Sequence, residues 1–425
     1  MSWKLDRRKF LLYGSAAFGS SFLLKGCTTA SNSESTTSAS PATDKPILVG
    51  AIYDQTGPLS SLGAGQIACH QMAIDEINAN GGLLGRKVES KLYDAQSDVQ
   101  KAAQLAQQLI LQDKVDVLMG CLTSAAREAV RPIVGKYKTL YFYPTQYEGG
   151  VCDKYTFCGG VTPSGQLDKL MDFAAKTLKA KTIYTIGADY NYGQLSAAWT
   201  KFYGQKYGMN VIAEEYFPLD VSDFSTTITK IQQAKPDVVM SILVGDTHDG
   251  FYGQWTSSGM KEKIPVISPT LSMAYQNDGS ERLDKAGVYA SRSYFQDDPS
   301  EGMKGFVKTF GDRYGTDKYL FELGFDCYVV PMMWAQAVQQ AGTTEREAVT
   351  KILEDGMVYN GPQGAVSYDK THHTNHTVYV LRANKNQRFE KVAGPFTDIR
   401  ATDDQGRCDL IGKPDTFEQF TPQFS

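Results

Sequence analysis

Histidine is scarce in this chain, with five in 425 residues. The spacings that turn histidine into chemistry are also missing. There is no His-Glu-x-x-His pair, no Gly-x-Ser-x-Gly elbow and no Gly-x4-Gly-Lys-Ser/Thr loop, which removes zinc-peptidase, α/β-hydrolase and P-loop readings. No two of the seven cysteines stand in the Cys-x2-Cys spacing of a zinc site. His372, His373 and His376 form "HHTNH". That triplet suits a metal or a solvated turn, and its Thr-rich setting between two strand-like runs favours the turn. Charge of one sign is missing too. The 43 basic and 47 acidic residues leave a net charge of −4, and no basic stripe interleaves with aromatics. Nucleic acid is therefore not an expected partner. Past the N-terminus no apolar run is long enough to span a bilayer.

What is present begins with an export pattern in residues 1–26. Arg7-Arg8, followed by Lys9 and Phe10, precedes an apolar run of moderate length, as in a twin-arginine signal. Leu24-Lys25-Gly26-Cys27 is similar to a lipoprotein box. Cleavage before Cys27 leaves a lipid anchor there; the plainer alternative is a cleaved signal with an incidental cysteine. Residues 27–45, rich in Ser, Thr and Ala, have no apolar period and are expected to be a flexible tether. Export permits disulfides. Cys152 and Cys158 bracket "DKYTF" and are a possible pair, although a protein exported already folded can equally keep buried thiols. Cys69 and Cys327 sit in apolar helical patterns and are expected in the core.

From Pro46 onward, strand-like and helix-like patterns alternate. "ILVGAIY", "KVESKLYD", "VDVLMG" and "TLYFYP" are separated by helical runs such as "QKAAQLAQQLILQ". The alternation restarts with "TIYTIGADY", "VIAEEYF", "DVVMSILVG" and "IPVISP". Two α/β units with mostly parallel sheets follow from this order. Late in the chain come two long helices, the second carrying Pro331. "TVYVLRANKNQRFEKV" then predicts a hairpin turning at Asn384 to Asn386. The Met332–Trp334 cluster lies at helical spacing, which indicates core rather than a cofactor site.

In open α/β sheets, ligands bind outside the carboxyl ends of the strands. Those ends carry Asp54-Gln55-Thr56-Gly57, Cys121 to Ser124, Pro144 to Tyr147, Tyr190 to Tyr192, and Gly245-Asp246-Thr247. Hydroxyls, phenols and amides dominate, and no nucleophile–base pair stands among them. The pattern points to binding rather than turnover, with no cofactor expected.

Several stretches carry a resemblance. "AIDEINANGGLLGRKVE", "GCLTSAAREAV", "FYPTQYEG", "GADYNYG", "FPLDVSDFSTTITKIQQAKPDVV", "LVGD" and "GPQGAVSYDKTHHT" together resemble the urea- and short-amide-binding receptors of ABC transporters. These belong to the branched-chain amino-acid (type I) periplasmic binding protein family. The resemblance covers about 46–392. It implies two Rossmann-like lobes joined by three crossing segments, with the ligand in the cleft between. Expected lobe I is 46–161 plus 297–362; expected lobe II is 162–296 plus 363–425, including a C-terminal tail. The resemblance places Ser124, Tyr143, Thr145, Tyr190, Tyr192 and the Gly245-Asp246 tip at ligand-contacting positions, with Gln146 beside them. Two positions depart from the pattern. Leu122 stands where amide receptors carry a tyrosine, and Gln146 where some carry proline.

The function so implied is capture of urea outside the cytoplasm and delivery to ABC permease subunits, from a lipid anchor at Cys27 on the periplasmic side of the inner membrane. Urea is planar and neutral, with one acceptor and four N–H donors. Thr145 and Ser124 suit its oxygen, Asp246 and backbone carbonyls its nitrogens, and the tyrosines its faces. A short amide or a branched-chain amino acid is the alternative ligand. An amidohydrolase built on Asp246 and His248 is the alternative of another class.

Overall fold

The structure, a computed structural model, describes residues 45–271, 285–316 and 319–424. The expected signal segment, Cys27 and all of the expected tether but Lys45 lie outside the described residues.

The apolar, β-branched runs form strands and the Ala/Gln-rich periodic runs form helices, in the expected alternation. The chain proceeds β1 (Ile47–Tyr53), α1 (Ser60–Ala79), β2 (Val88–Asp94), α2 (Val99–Leu111), β3 (Val117–Gly120), α3 (Ser124–Tyr137), β4 (Tyr141–Tyr143), β5 (Val151–Asp153) and β6 (Thr156–Cys158). It continues through α4 (Pro163–Gln166), α5 (Asp168–Lys176), β7 (Thr182–Ala188), α6 (Asn191–Lys206), β8 (Asn210–Phe217), α7 (Ser225–Ala234), β9 (Val238–Ile242), α8 (Thr247–Ser257), β10 (Val266–Ile267) and β11 (Tyr289–Arg292). The last part holds α9 (Glu301–Tyr314), α10 (Glu322–Ala341), α11 (Arg346–Glu354), β12 (Val358–Gly361), β13 (Gly364–Ser367), β14 (His376–Ala383), β15 (Phe389–Ile399) and β16 (Phe417–Gln419).

Among the described residues two main sheets form. The first has the order β2-β1-β3-β4-β6 and is parallel throughout. The second has the order β15-β14-β11-β10-β9-β7-β8, parallel from β11 to β8, with β14 and β15 added antiparallel. In each sheet the order reverses once, between β1 and β3 and between β7 and β9. A crevice opens at such a reversal. Helices cover both faces of each sheet, so each sheet feeds two apolar clusters. Ile47, Val49 and Met119 pack with α1 and α10 on one face of the first sheet, while Ile52 and Leu118 pack with α2 and α3 on the other. Pro331 lies inside α10, and Met333 and Trp334 are buried in the first core.

Among the described residues three segments cross between the two main sheets, Gly159–Thr162 after β6, Ser293 onward after β11, and the chain entering β14, and the tail from β15 to β16 passes back as a fourth connection. The first and third lie side by side. The Cys158 N–H donates to the His372 carbonyl at 2.8 Å, and the Thr374 hydroxyl donates to the Gly159 carbonyl at 3.0 Å. The ribbon β12–β13 precedes the third crossing and delivers Val366 and Tyr368 to the first core, although the sequence assigns 363 onward to the second lobe.

Two sequence expectations are corrected here. Cys152 pairs with Cys408, 256 residues away, and Cys158 is a free buried thiol. The reason is topological: β5 leaves the main sheet and pairs antiparallel with β16, while β6 joins β4. The "HHTNH" stretch is not a solvated turn. His372 stacks on Phe157, with ring centroids 3.9 Å apart, and meets Glu354 at 2.8 Å. His373 stacks on Tyr147 and bonds its hydroxyl. No group of three or more His, Cys, Asp or Glu suited to a metal ion occurs among the described residues.

The tail after β15 returns to the first lobe. On the way, between α4 and Gly149, Asp403 is fully buried, its Oδ1 accepting from the Ser164 N–H at 3.0 Å and its Oδ2 without a partner. Burial pushes its carboxyl up to about 7. A folded-state value above the unfolded one means protonation favours the fold; the stability it contributes is full below about 4 and is lost as pH rises through about 7. The stability of Asp403→Asn relative to wild type therefore rises between pH 4 and pH 8. Guanidinium chloride denaturation across that range checks it, and a pH-independent difference would refute it.

Candidate functional site

The tips of β3 and β4 are tied to each other by the side chains that the sequence singled out. Tyr143 donates its phenol to the Leu122 carbonyl at 2.7 Å. Thr145 donates to the Cys121 carbonyl at 3.1 Å and accepts from Gln66 Nε2 at 3.3 Å. Both side chains are buried, so these bonds lie in a low-dielectric setting where leaving them unmade is costly. Ser124 opens α3, where the Thr123 side chain accepts from the Ala126 N–H. The N–H groups of this first turn have no partner within the helix and carry the positive end of its dipole.

Ser124 also belongs to a buried charge cluster. Its hydroxyl donates to Glu148 Oε2 and accepts from Arg127 Nη1 at 3.3 Å. Arg127 Nη2 meets Glu148 Oε1 at 2.7 Å, with both side chains wholly buried. The guanidinium lies over the rings of Tyr147, at 4.4 Å, and Tyr143, at 5.1 Å. Burial alone would push Arg127 down, but Glu148 and Glu128 outweigh it and hold it charged. The same Glu148 carboxylate accepts from Asn191 Nδ2 at 3.3 Å and Gln419 Nε2 at 2.6 Å, and its carbonyl accepts from Trp199 Nε1 at 2.9 Å. Asn191 and Trp199 sit on α6, a helix of the second lobe.

Gln146 joins the two lobes. Its Nε2 donates to the Tyr192 phenol at 3.1 Å and to the Pro269 carbonyl at 2.9 Å, and its Oε1 accepts from Arg292 Nη1 at 2.8 Å. Tyr192 in turn donates to Gln166 Oε1 at 3.1 Å. Tyr190 lies half-buried beside Tyr192, ring centroids 6.1 Å apart. Burial pushes the phenols of Tyr143, Tyr190 and Tyr192 up, so all three keep their protons, which Tyr143 and Tyr192 spend on the Leu122 carbonyl and Gln166 Oε1. Leu59 and Leu122, from the tips of β1 and β3, are buried in a cluster with Tyr192 and Val244 of the second lobe. Gly245 has φ +68°, and a Cβ there would stand 3.1 Å from Leu59. The strand tips of the two lobes are therefore in contact.

Seven of the eight ligand-site expectations thus fall where the two sets of strand ends meet: Ser124, Tyr143, Thr145, Gln146, Tyr190, Tyr192 and Gly245. Asp246 does not. It stands exposed at the start of α8, so it is no buried acceptor for a ligand. His248 is buried against Tyr252, ring centroids 5.6 Å apart, and the two residues do not form an acid–base pair. Sequence reasoning missed Arg127, Glu148, Arg292, Glu322 and Gln419. Arg127 had a local signal, since three residues after Ser124 is the same helical face. Glu148 sat inside the "YPTQYEG" stretch. Arg292 and Gln419 had no local signal, because their partners come from far along the chain.

A cavity of about 110 Å³ lies elsewhere, lined by all three crossings (Gly159, Ser293 and His376 among them) and by Asp326.

A family profile described as "Periplasmic binding protein" matches residues 46–388. The "Leu/Ile/Val-binding protein BraC3" of Rhizobium johnstonii is 24% identical over 341 residues, which span 78% of this chain and 89% of that protein. The "Leu/Ile/Val-binding protein homolog 7" of Brucella abortus is 24% identical over 304 residues, 65% of this chain and 73% of that one. Among solved structures, an ABC-transporter solute-binding protein of Rhodopseudomonas palustris, in complex with 3,4-dihydroxybenzoic acid, is similar with TM-score 0.75 at 23% identity, covering 84% of this chain and 98% of that one. The LivJ substrate-binding protein of Streptococcus pneumoniae, in complex with isoleucine, has TM-score 0.71 at 21% identity, with 82% and 100% coverage.

Proposed function

The chain belongs to the periplasmic binding protein family, and from that membership we propose that it is an extracytoplasmic receptor of an ABC permease whose ligand is small, neutral and polar, with urea first. The observation that carries this reading is the state of the charges at the strand tips. Arg127 and Glu148 are consumed by each other and by Ser124, Asn191 and Gln419. Arg292 spends both terminal nitrogens on Gln146, Glu322 and backbone carbonyls, and only its Nε is left without a partner among the described residues. An amino acid brings a carboxylate and an ammonium, each needing a charge-assisted partner. A neutral amide needs only neutral donors and acceptors, which the Tyr190 phenol, the Ser124 and Ala125 N–H groups at the start of α3 and the loop carbonyls supply.

The mechanism is hinge closure about the three crossings, with the ligand favouring the closed state through contacts made only there. Gln146 is the closing contact from the first lobe and Tyr192 with Pro269 its counterpart in the second. The lipid anchor at Cys27 and the twin-arginine route belong to the same proposal and rest on the sequence pattern. A branched-chain amino acid remains the second reading, favoured by the relatives' names.

A ligand panel separates them. At a hundredfold excess over Kd a ligand stabilises the fold by about 2.7 kcal/mol, so urea raises the melting temperature while leucine and acetamide raise it less or not at all. In titration calorimetry Tyr190→Ala and Thr145→Val weaken urea binding at least tenfold with the circular dichroism spectrum unchanged. Leucine as the stabilising ligand, with urea inert, would overturn the reading.

A further inference from the structure

The family profile stops at residue 388, yet the chain beyond it reaches the candidate site. β16 pairs with β5 in the register Phe417↔Asp153, Glu418↔Cys152, Gln419↔Val151. Arg131 fastens this strand, donating Nη2 to the Glu418 carbonyl at 3.1 Å and lying 4.5 Å over the Phe417 ring. Cys408 closes the loop onto Cys152. Gln419 Nε2 then donates to Glu148 Oε1 at 2.6 Å and to the Gly149 carbonyl at 3.1 Å, and the Phe420 N–H donates to the Gly150 carbonyl at 2.7 Å.

The loop is shaped to receive this segment. Gly149 and Gly150 have φ of +81° and +82°, where side chains are strained. A Cβ on Gly149 would stand 2.4 Å from the Asp403 Cβ, and one on Gly150 1.8 Å from the Phe420 carbonyl oxygen. The tail occupies the space those side chains would need.

We propose that the C-terminal segment is a working part of the ligand site. In it Gln419 is a positioning residue that holds the Glu148 carboxylate against Ser124, and the Cys152–Cys408 disulfide keeps Gln419 in place. Glu148 has several donors competing for two oxygens. Gln419, Arg127 and the longer-range Asn191 share Oε1, which leaves Oε2 to the Ser124 hydroxyl. Without Gln419, the carboxylate has lost a charge-assisted bond and the loop from Tyr147 to Gly150 has lost its floor. The inference rests on the strand tips being the ligand site, but not on urea being the ligand.

The test uses the whole folded protein and whichever panel ligand the wild type binds. Gln419→Met keeps the side chain's length and removes both donors. It is expected to weaken that ligand at least tenfold, at a temperature well below melting, and to raise amide hydrogen exchange across 147–151 without any ligand present. Cys408→Ser, and wild type treated with dithiothreitol, are expected to match it. In the latter case two electrons and two protons pass to the Cys152 and Cys408 sulfurs as the reagent closes to its cyclic disulfide. In a Ser124→Ala background, Gln419→Met is expected to add little further loss. A tail that only stabilises the fold would instead lower the melting temperature with affinity and loop exchange unchanged and with additive losses; that result overturns the proposal. If urea fails but another ligand binds and shows the same dependence on Gln419, the urea reading falls and this one stands.

Discussion

Arg292→Met is expected to destabilise the protein by about 3–5 kcal/mol, the cost of leaving a buried charge without its partner. Arg292 ends β11 and is fully buried. Its Nη1 donates to Gln146 Oε1 at 2.8 Å and to the Pro269 carbonyl, its Nη2 to the Leu271 carbonyl at 2.7 Å, and Glu322 Oε2 stands 3.5 Å away. Methionine fills most of the volume but supplies no donor. Glu322 then keeps only the Ser293 N–H and hydroxyl among these partners, with Asp326 one turn further along α10. Burial and the like charge of Glu322 already push the Asp326 carboxyl well up, against the pull of Arg292. Chemical denaturation measures the loss, and adding Glu322→Gln is expected to recover most of it. A single substitution within about 1 kcal/mol of wild type would show that the pair is solvated in solution and that Gln146 is not held by it.

Gly160→Ala is expected to abolish ligand capture while costing less stability. Gly160 lies on the first crossing with no unusual φ, so its conformation suits alanine. Space forbids it. The added Cβ would stand 2.2 Å from the Thr145 carbonyl carbon and 2.3 Å from the Gln146 nitrogen. Both atoms are backbone, and no side chain can rotate away. Separations near 3.5 Å are the packing norm, so the crossing or the β4 tip shifts by about 1 Å. Overpacking of this kind costs roughly 1–3 kcal/mol, and a site built to tolerances of about 0.5 Å does not survive the shift. Affinity is expected to fall at least a hundredfold in calorimetry. Gly305→Ala is the control, because nothing lies within 4 Å of its Cβ on the exposed face of α9. It is expected to be neutral in binding and stabilising by up to about 1 kcal/mol. Unchanged affinity in Gly160→Ala would place the ligand away from Thr145 and Gln146.

Much of the architecture was legible because it is written in short-range periodicity. "ILVGAIY" and "VDVLMG" announce buried parallel strands, and the helical runs between them announce the layers that cover those strands. The strand tips follow from that alternation, and with them Ser124, Tyr143, Thr145, Gln146, Tyr190, Tyr192 and Gly245. Asp246 stands apart from them, exposed, because a turn residue's position shows where its backbone is, not which way its side chain faces. The histidine stretch was misjudged because its polarity suggests solvent, whereas Phe157, Glu354 and Tyr147 bury it.

Sequence alone determined the two α/β units, the ends of the strands and the neutral, hydroxyl-rich character of those ends. Only the tertiary structure decided which polar groups are spent on one another. Glu148 meets Gln419 across 271 residues, Gln146 meets Arg292 across 146, and Cys152 meets Cys408 across 256. Local periodicity reports which face of an element is buried. A buried charge or thiol takes as its partner whatever the packed chain brings within about 3 Å, and that proximity has no trace in neighbouring residues.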